Sequence, residues 1–183
     1  MTESFDQYRK RVLSYLGEKD AIKVQTSTPA RLAKLTRDLP LDVLRRRPQA
    51  TKWSIVEILA HLADAELAYS WRLRMMLSRP GVPLQWFDQD DWDVRFTYGQ
   101  RDAAQLLSVF GALRRNNLEL LKRVPRASWK KAFGIHEVRG RQTVADFVTM
   151  EAAHDLNHLQ QIKNIVNVLR RRQSKASFAQ KAK

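Results

Sequence analysis

Apolar positions along the chain recur at three- and four-residue spacing, the pattern of helices that bury one face. Phe5, Tyr8, Val12, Tyr15 and Leu16 share one face of a first helix, with Ser4 placed to cap it and Gly17 to stop it. Thr28-Pro29 opens a second helix with the face Leu32, Leu35 and Leu39, ended by Pro40. A basic connection follows, Arg45, Arg46, Arg47 and Pro48. The third helix has the best-marked start. Ser54 and Glu57 form a capping box, Trp53 staples against Ile58, and the pattern runs to Ser78. Residues 79–101 read as a long loop, with Trp86, Phe87, Trp92, Phe96 and Tyr98 set among Asp88, Asp90, Asp91 and Asp93. Loops of this length are usually functional or disordered, and the aromatics favour an ordered lid. A fourth helix runs from the cap Asp102 to about Arg123, burying Leu106, Leu107, Phe110, Leu113, Leu118 and Leu121 before Pro125 breaks it. Residues 126–142 read as an irregular turn or short hairpin, and Thr143 caps a last helix to about Arg172.

Four or five long helices with no strand series predict an all-α, up-down antiparallel four-helix bundle, with extra short helices and one long inter-helix loop. With 44% apolar and 28% charged residues, the chain fits a soluble domain with a full-sized core. Residues 1–172 are expected to form that single domain, and residues 173–183 a basic, flexible tail that folding does not need. The net charge of +14 raises nucleic acid as a partner. Seven basic residues and no acidic ones lie between Lys163 and Lys183, however, so half the excess belongs to the C-terminal end. No helix-turn-helix, zinc-finger or aromatic-basic motif accompanies it, and nucleic acid is not an expected partner. The polar N-terminus carries no secretory signal, and the longest uncharged run, Ala103 to Leu113, is too short to span a bilayer. A cytoplasmic protein without a membrane partner is the expectation.

The chain has no cysteine, which excludes disulfides, thiolate ligands and a cysteine nucleophile. Histidine is the residue type that stands out. His154 and His158 are spaced i, i+4, so both imidazoles leave one side of the last helix a turn apart. Phe147, Ile162, Ile165 and Leu169 lie within about 40° of His158 on that wheel, so the pair sits inside the apolar face. His61 does the same on the third helix, where Ala65 and Ala68 leave space beyond it. Three inward histidines on two long helices predict a divalent-metal site at His61, His154 and His158. The run His154-Asp155-Leu156-Asn157-His158 is not H-E-x-x-H, so the metalloprotease general base is missing. Ligand identity alone does not select the metal.

The segment Thr51-Lys52-Trp53-Ser54-Ile55-Val56-Glu57-Ile58-Leu59-Ala60-His61-Leu62-Ala63-Asp64-Ala65-Glu66 resembles the W-S-x-x-E-x-x-x-H-L-x-D-x-E helix of the DinB-like (DinB/YfiT-like) superfamily of metalloenzymes. Arg72 continues that resemblance, as do Gly140, Thr143 and Val144. His154-x-x-x-His158-x-x-Gln161-Ile162 is similar to the family's closing motif. The resemblance implies a four-helix bundle holding zinc or nickel on His61, His154 and His158. It also implies activities such as S-transfer or isomerisation with a low-molecular-weight thiol. His136 lies where relatives often carry a histidine. It is expected to order the turn before the last helix and to stand at the pocket mouth.

Three neutral imidazoles leave a dication uncompensated and open to a further ligand, as in catalytic sites. Asp64 and Glu151, each one turn from a histidine, are candidates to orient a ring N–H or to accept a proton, or else to pair with Arg72. Trp86 and Trp92 are candidates to close over the pocket. The expected partners are a small-molecule substrate and a second copy of the chain. A thiol-dependent S-transferase acting on a small electrophile is the leading expectation. A metal-dependent hydrolase and a non-catalytic binding or scaffold module with a basic tail are the alternatives.

Overall fold

The computed structural model describes residues 3–181, with side chains described as far as Leu169. Seven helices are present among them: α1 (Phe5–Leu16), α2 (Ala21–Thr36), α3 (Leu41–Arg45), α4 (Ile55–Ser78), α5 (Gln89–Arg95), α6 (Ala103–Arg123) and α7 (Val144–Lys181). Three short strands, β1 (Val82–Leu84), β2 (Phe133–His136) and β3 (Gly140–Thr143), form one small sheet. The last helix is thus described beyond Arg172, and the tail's side chains lie outside the described residues.

Local chemistry sets the helix starts. Ser4 with Gln7 and Ser54 with Glu57 each close a reciprocal capping box, satisfying amides that the first turn leaves free. Thr143 and Asp146 make the same exchange at the start of α7. The second helix begins earlier than its proline implied, at Asp20, whose side chain accepts from the Lys23 amide at 2.9 Å. Pro29 therefore lies inside α2. A proline there frees the carbonyl four residues back, and that carbonyl, Gln25 O, accepts from Arg114 Nη1 at 3.4 Å. The cost of the break is offset by a partner from another helix. The basic connection after α2 also contains a short helix, α3.

The bundle is built from α2, α4, α6 and α7, with α1 laid along α7. Contacts fix the directions. His61 meets His154 and Tyr69 stacks on Phe147, so α4 and α7 are antiparallel. Glu66 meets Arg114 and Ser70 meets Asn117, so α4 and α6 run the same way. Arg114 reaches Gln25 and Gly111 lies against Pro29, making α2 antiparallel to α6. Two helices run each way, but α4 and α6 do not alternate. That requires residues 79–101 to travel back along the bundle.

This return segment is structured. It contains β1, α5 and a single 3-10 turn at Tyr98–Gln100. It is anchored where α4 begins, because Arg47 grips both Glu57 and Asp93, and Arg101 pairs with Asp64 at 3.2 Å. The 126–142 region holds the β2–β3 hairpin, and β2 also pairs parallel with β1. Gly134 permits that pairing, since a Cβ there would lie 2.6 Å from Leu84. No described helix is long and apolar enough to cross a membrane.

Candidate metal centre

His61 projects from α4 and His154 and His158 from α7. Their Nε2 atoms converge: His154 Nε2 lies 3.0 Å from that of His61 and 2.9 Å from that of His158. These short contacts cannot both be ordinary hydrogen bonds. Each neutral ring carries one N–H, and a nitrogen shared by two neighbours has one lone pair in the ring plane. One cation accepting a lone pair from each ring resolves the conflict. His61 and His158 are buried, and the Trp53 ring packs 5.0 Å from the His61 ring. Burial lowers the pKa of all three rings, that of His158 to about 4, and so keeps them neutral and able to ligate.

Outer contacts orient the rings. His158 Nδ1 lies 2.8 Å from Gln161 Oε1, an acceptor that places the ring proton on Nδ1 and leaves Nε2 free to ligate. His154 Nδ1 has Glu151 Oε1 at 4.0 Å, beyond hydrogen-bond reach. The Nδ1 atoms of His61 and His154 are buried without a partner. If Gln161 fixes the His158 tautomer, Gln161→Ala should weaken metal affinity by about 10–100-fold and leave the fold intact. Competition against a chelator of known affinity measures this. An unchanged affinity would show the contact to be incidental.

Behind the histidines lies a buried ionic cluster that the periodicity did not reveal. Arg114 is fully buried and binds Asp155 with both terminal nitrogens, Glu66 at 2.7 Å and Glu151 at 3.5 Å. Asn117 holds the other Glu66 oxygen at 2.8 Å. Burial, then the neighbouring Glu66, push the Glu151 carboxyl well above the usual carboxylate range. Asp155, one residue from a ligand, is thus directed away from the metal position. Glu151, His154 and Asp155 also bring ligand atoms within 4.8 Å of one another. Arg114 already engages both carboxylates of that group, so the three histidines form the better metal seat.

A cavity of about 530 Å³ opens beside the histidines, lined in part by His61, His154, Glu151, Arg72, His136 and Trp86. The candidate residues distribute as follows. Glu151 lines the cavity next to His154, whereas Asp64 faces away into its pair with Arg101. Arg72 pairs with neither carboxylate; it donates to the Gln85 carbonyl and lies over the Phe87 ring. Trp86 is on the cavity wall. Trp92 is not, but it stacks on Phe87, which is, with ring centres 4.4 Å apart. His136 is buried; its Nδ1 accepts from the Val138 and Arg139 amides and so orders the turn, while its ring also lines the cavity.

Fold and site together define a four-helix-bundle protein with a candidate histidine metal seat beside an open cavity. The DinB superfamily pattern matches residues 26–162, and the chain belongs to that superfamily. It is 24% identical over 133 residues to an Oceanobacillus iheyensis protein provisionally named a metal-dependent hydrolase, covering 73% of this chain and 76% of that one. Its fold matches that of YfiT from Bacillus subtilis, described as a probable metal-dependent hydrolase with an unusual four-helix bundle topology. That match has a TM-score of 0.77 at 16% identity and covers 92% of this chain and 90% of YfiT.

Proposed function

We propose that the chain is a metal-dependent hydrolase of a small molecule, with His61, His154 and His158 holding a divalent ion. The observation that carries this reading is the convergence of three Nε2 atoms, which neutral rings cannot satisfy among themselves, beside an open cavity that His61 and His154 line. The provisional and descriptive names of the two relatives support hydrolysis. Bound there, a divalent ion supplies a Lewis acid that polarises a substrate oxygen and acidifies a hydroxylic or thiol ligand. The chain's own residues do the rest. Gln161 fixes the His158 tautomer. Glu151 lines the cavity beside His154 and is the carboxyl candidate to exchange a proton with bound substrate. Trp86 and Phe87 give one side of the cavity an aromatic lining.

One observation also favours transfer to a thiol. The cavity lies within the ordinary range for a small-molecule site, and the chain, lacking cysteine, leaves the nucleophile to be brought in. A single assay separates the two readings. Protein loaded with zinc or nickel, and a His61→Ala control, are offered esters, amides and phosphoesters in water. They are then offered alkylating electrophiles with a panel of low-molecular-weight thiols. Hydrolysis above the control supports the first reading, and thiol consumption above it supports transfer. If metal is bound and neither occurs, the enzyme reading falls and a binding module remains.

A further inference from the structure

The cavity carries a set of hydrogen-bond donors that the metal seat does not use. Arg72 is half-buried on the wall, with the Gln85 carbonyl and the Phe87 ring as its contacts. Arg139 is exposed at the same cavity, its guanidinium 4.8 Å from the centre of the Phe5 ring. Among the described residues neither pairs with a carboxylate, whereas Arg47, Arg101 and Arg114 all do. The third donor is His136. Because its Nδ1 accepts from the Val138 and Arg139 amides at 3.1 and 3.4 Å, the ring proton sits on Nε2. That Nε2 is buried and has no partner, in a side chain that is 1% exposed. An orphaned buried donor is rare in a finished site and calls for an acceptor.

The acids around the cavity do not answer this need. Glu3 is held by Arg11 at 2.8 Å, and Asp88 caps α5 through the Asp90 and Asp91 amides. Asp90 is exposed, and Glu151 belongs to the Arg114 cluster. Glu137, beside His136, accepts from the Trp86 amide at 3.0 Å. The same cavity is lined by the aromatic rings of Phe5, Trp86, Phe87 and Phe147.

We propose that Arg72, Arg139 and the Nε2–H of His136 form a subsite for an oxyanion, a carboxylate or phosphate, carried on a small substrate with an apolar, ring-like body. A guanidinium presents paired N–H groups that fit the two oxygens of such a group, and the aromatic wall receives the rest of the molecule. This inference rests on reading the cavity as the substrate site, but the subsite itself needs no metal.

The test uses three probes of one shape: phenylacetate, phenylphosphonate and the uncharged phenylacetamide. Each is titrated calorimetrically into full-length protein, stripped of metal by chelation or loaded with zinc. Metal-free wild-type protein should bind at least one of the anionic probes about tenfold to hundredfold more tightly than the amide, the range expected for hydrogen bonds to a charged group. Comparing the two anions identifies carboxylate or phosphate as the better ligand. Arg72→Gln should remove most of that preference while metal content is unchanged. Arg139→Gln, at an exposed position that folding tolerates, should remove part of it. Equal binding of anion and amide to metal-free protein overturns the subsite. So does a preference seen only with zinc and indifferent to Arg72→Gln, which would place the anion on the ion and leave the metal reading standing. An Arg72-dependent preference in a protein that takes up no metal would support the subsite and defeat the hydrolase proposal instead.

Discussion

Expressed without a polyhistidine tag, the protein should carry one divalent ion per chain, and the double change His154→Ala/His158→Ala should remove it. Two of the converging nitrogens would be gone, and the remaining His61 contributes a single ligand from α4. Metal-dependent turnover should fall to the level of chelated wild-type protein. Elemental analysis of wild type and variant side by side checks this, and circular dichroism confirms that α7 still forms. Stoichiometric metal in the double variant would show that the ion sits elsewhere. The histidines are buried and neutral, so apolar replacement adds no uncompensated charge. The loss should therefore appear in metal content far more than in folding.

The opposite balance should hold for Arg114→Leu. Removing the guanidinium leaves Glu66, Asp155 and Glu151 facing one another without a cation in a dry interior. Breaking a buried ion pair in this way costs about 3–5 kcal/mol, or roughly 6–20 °C in melting temperature for a chain of this size. The Gln25 carbonyl freed by Pro29 would also lose its donor. Thermal melts of the metal-free proteins make the comparison. Combining Arg114→Leu with Glu66→Gln and Asp155→Asn should recover much of the loss, because the penalty comes from the stranded charges. A melting temperature within about 2 °C of wild type for the single variant, less than 1 kcal/mol at this size, would show the cluster to be energetically idle.

These two regions were not equally legible in the sequence. The ends of α1, α4 and α6 could be read because a cap is a local event, with Ser4, Ser54 and Asp102 bonding to amides three residues away. The histidine faces could be read because the i, i+4 spacing and the apolar neighbours of His158 lie on one wheel. Arg114 could not. It occupies an apolar-spaced position between Phe110 and Leu118, and only its partners on α4 and α7 make it a buried residue. Leu107 and Leu113, assigned to the same face, are only partly buried, because α6 is rotated to present Arg114 and Asn117 inward. The start of α2 was missed for a related reason. A proline reads as an entrance unless something distant satisfies the carbonyl it frees, and here that donor is 89 residues away. The strands, three or four residues each, are too short to leave a periodic trace. The partner of Asp64, Arg101, was placed by the return of the 79–101 segment, a feature of topology that no local pattern encodes.

That return segment has a wider consequence. The helices α4 and α7 hold the three histidines, while Trp86 and Phe87 sit on a chain whose job in the bundle is only to travel from the end of α4 to the start of α6. Side-chain exchanges at Trp86 and Phe87 should therefore reshape the cavity while leaving the imidazoles on their own helices. That stretch supplies one side of the cavity, while the candidate metal ligands come from helices it does not belong to. A scaffold divided in this way can diversify its chemistry by editing a strap while its core stays constant.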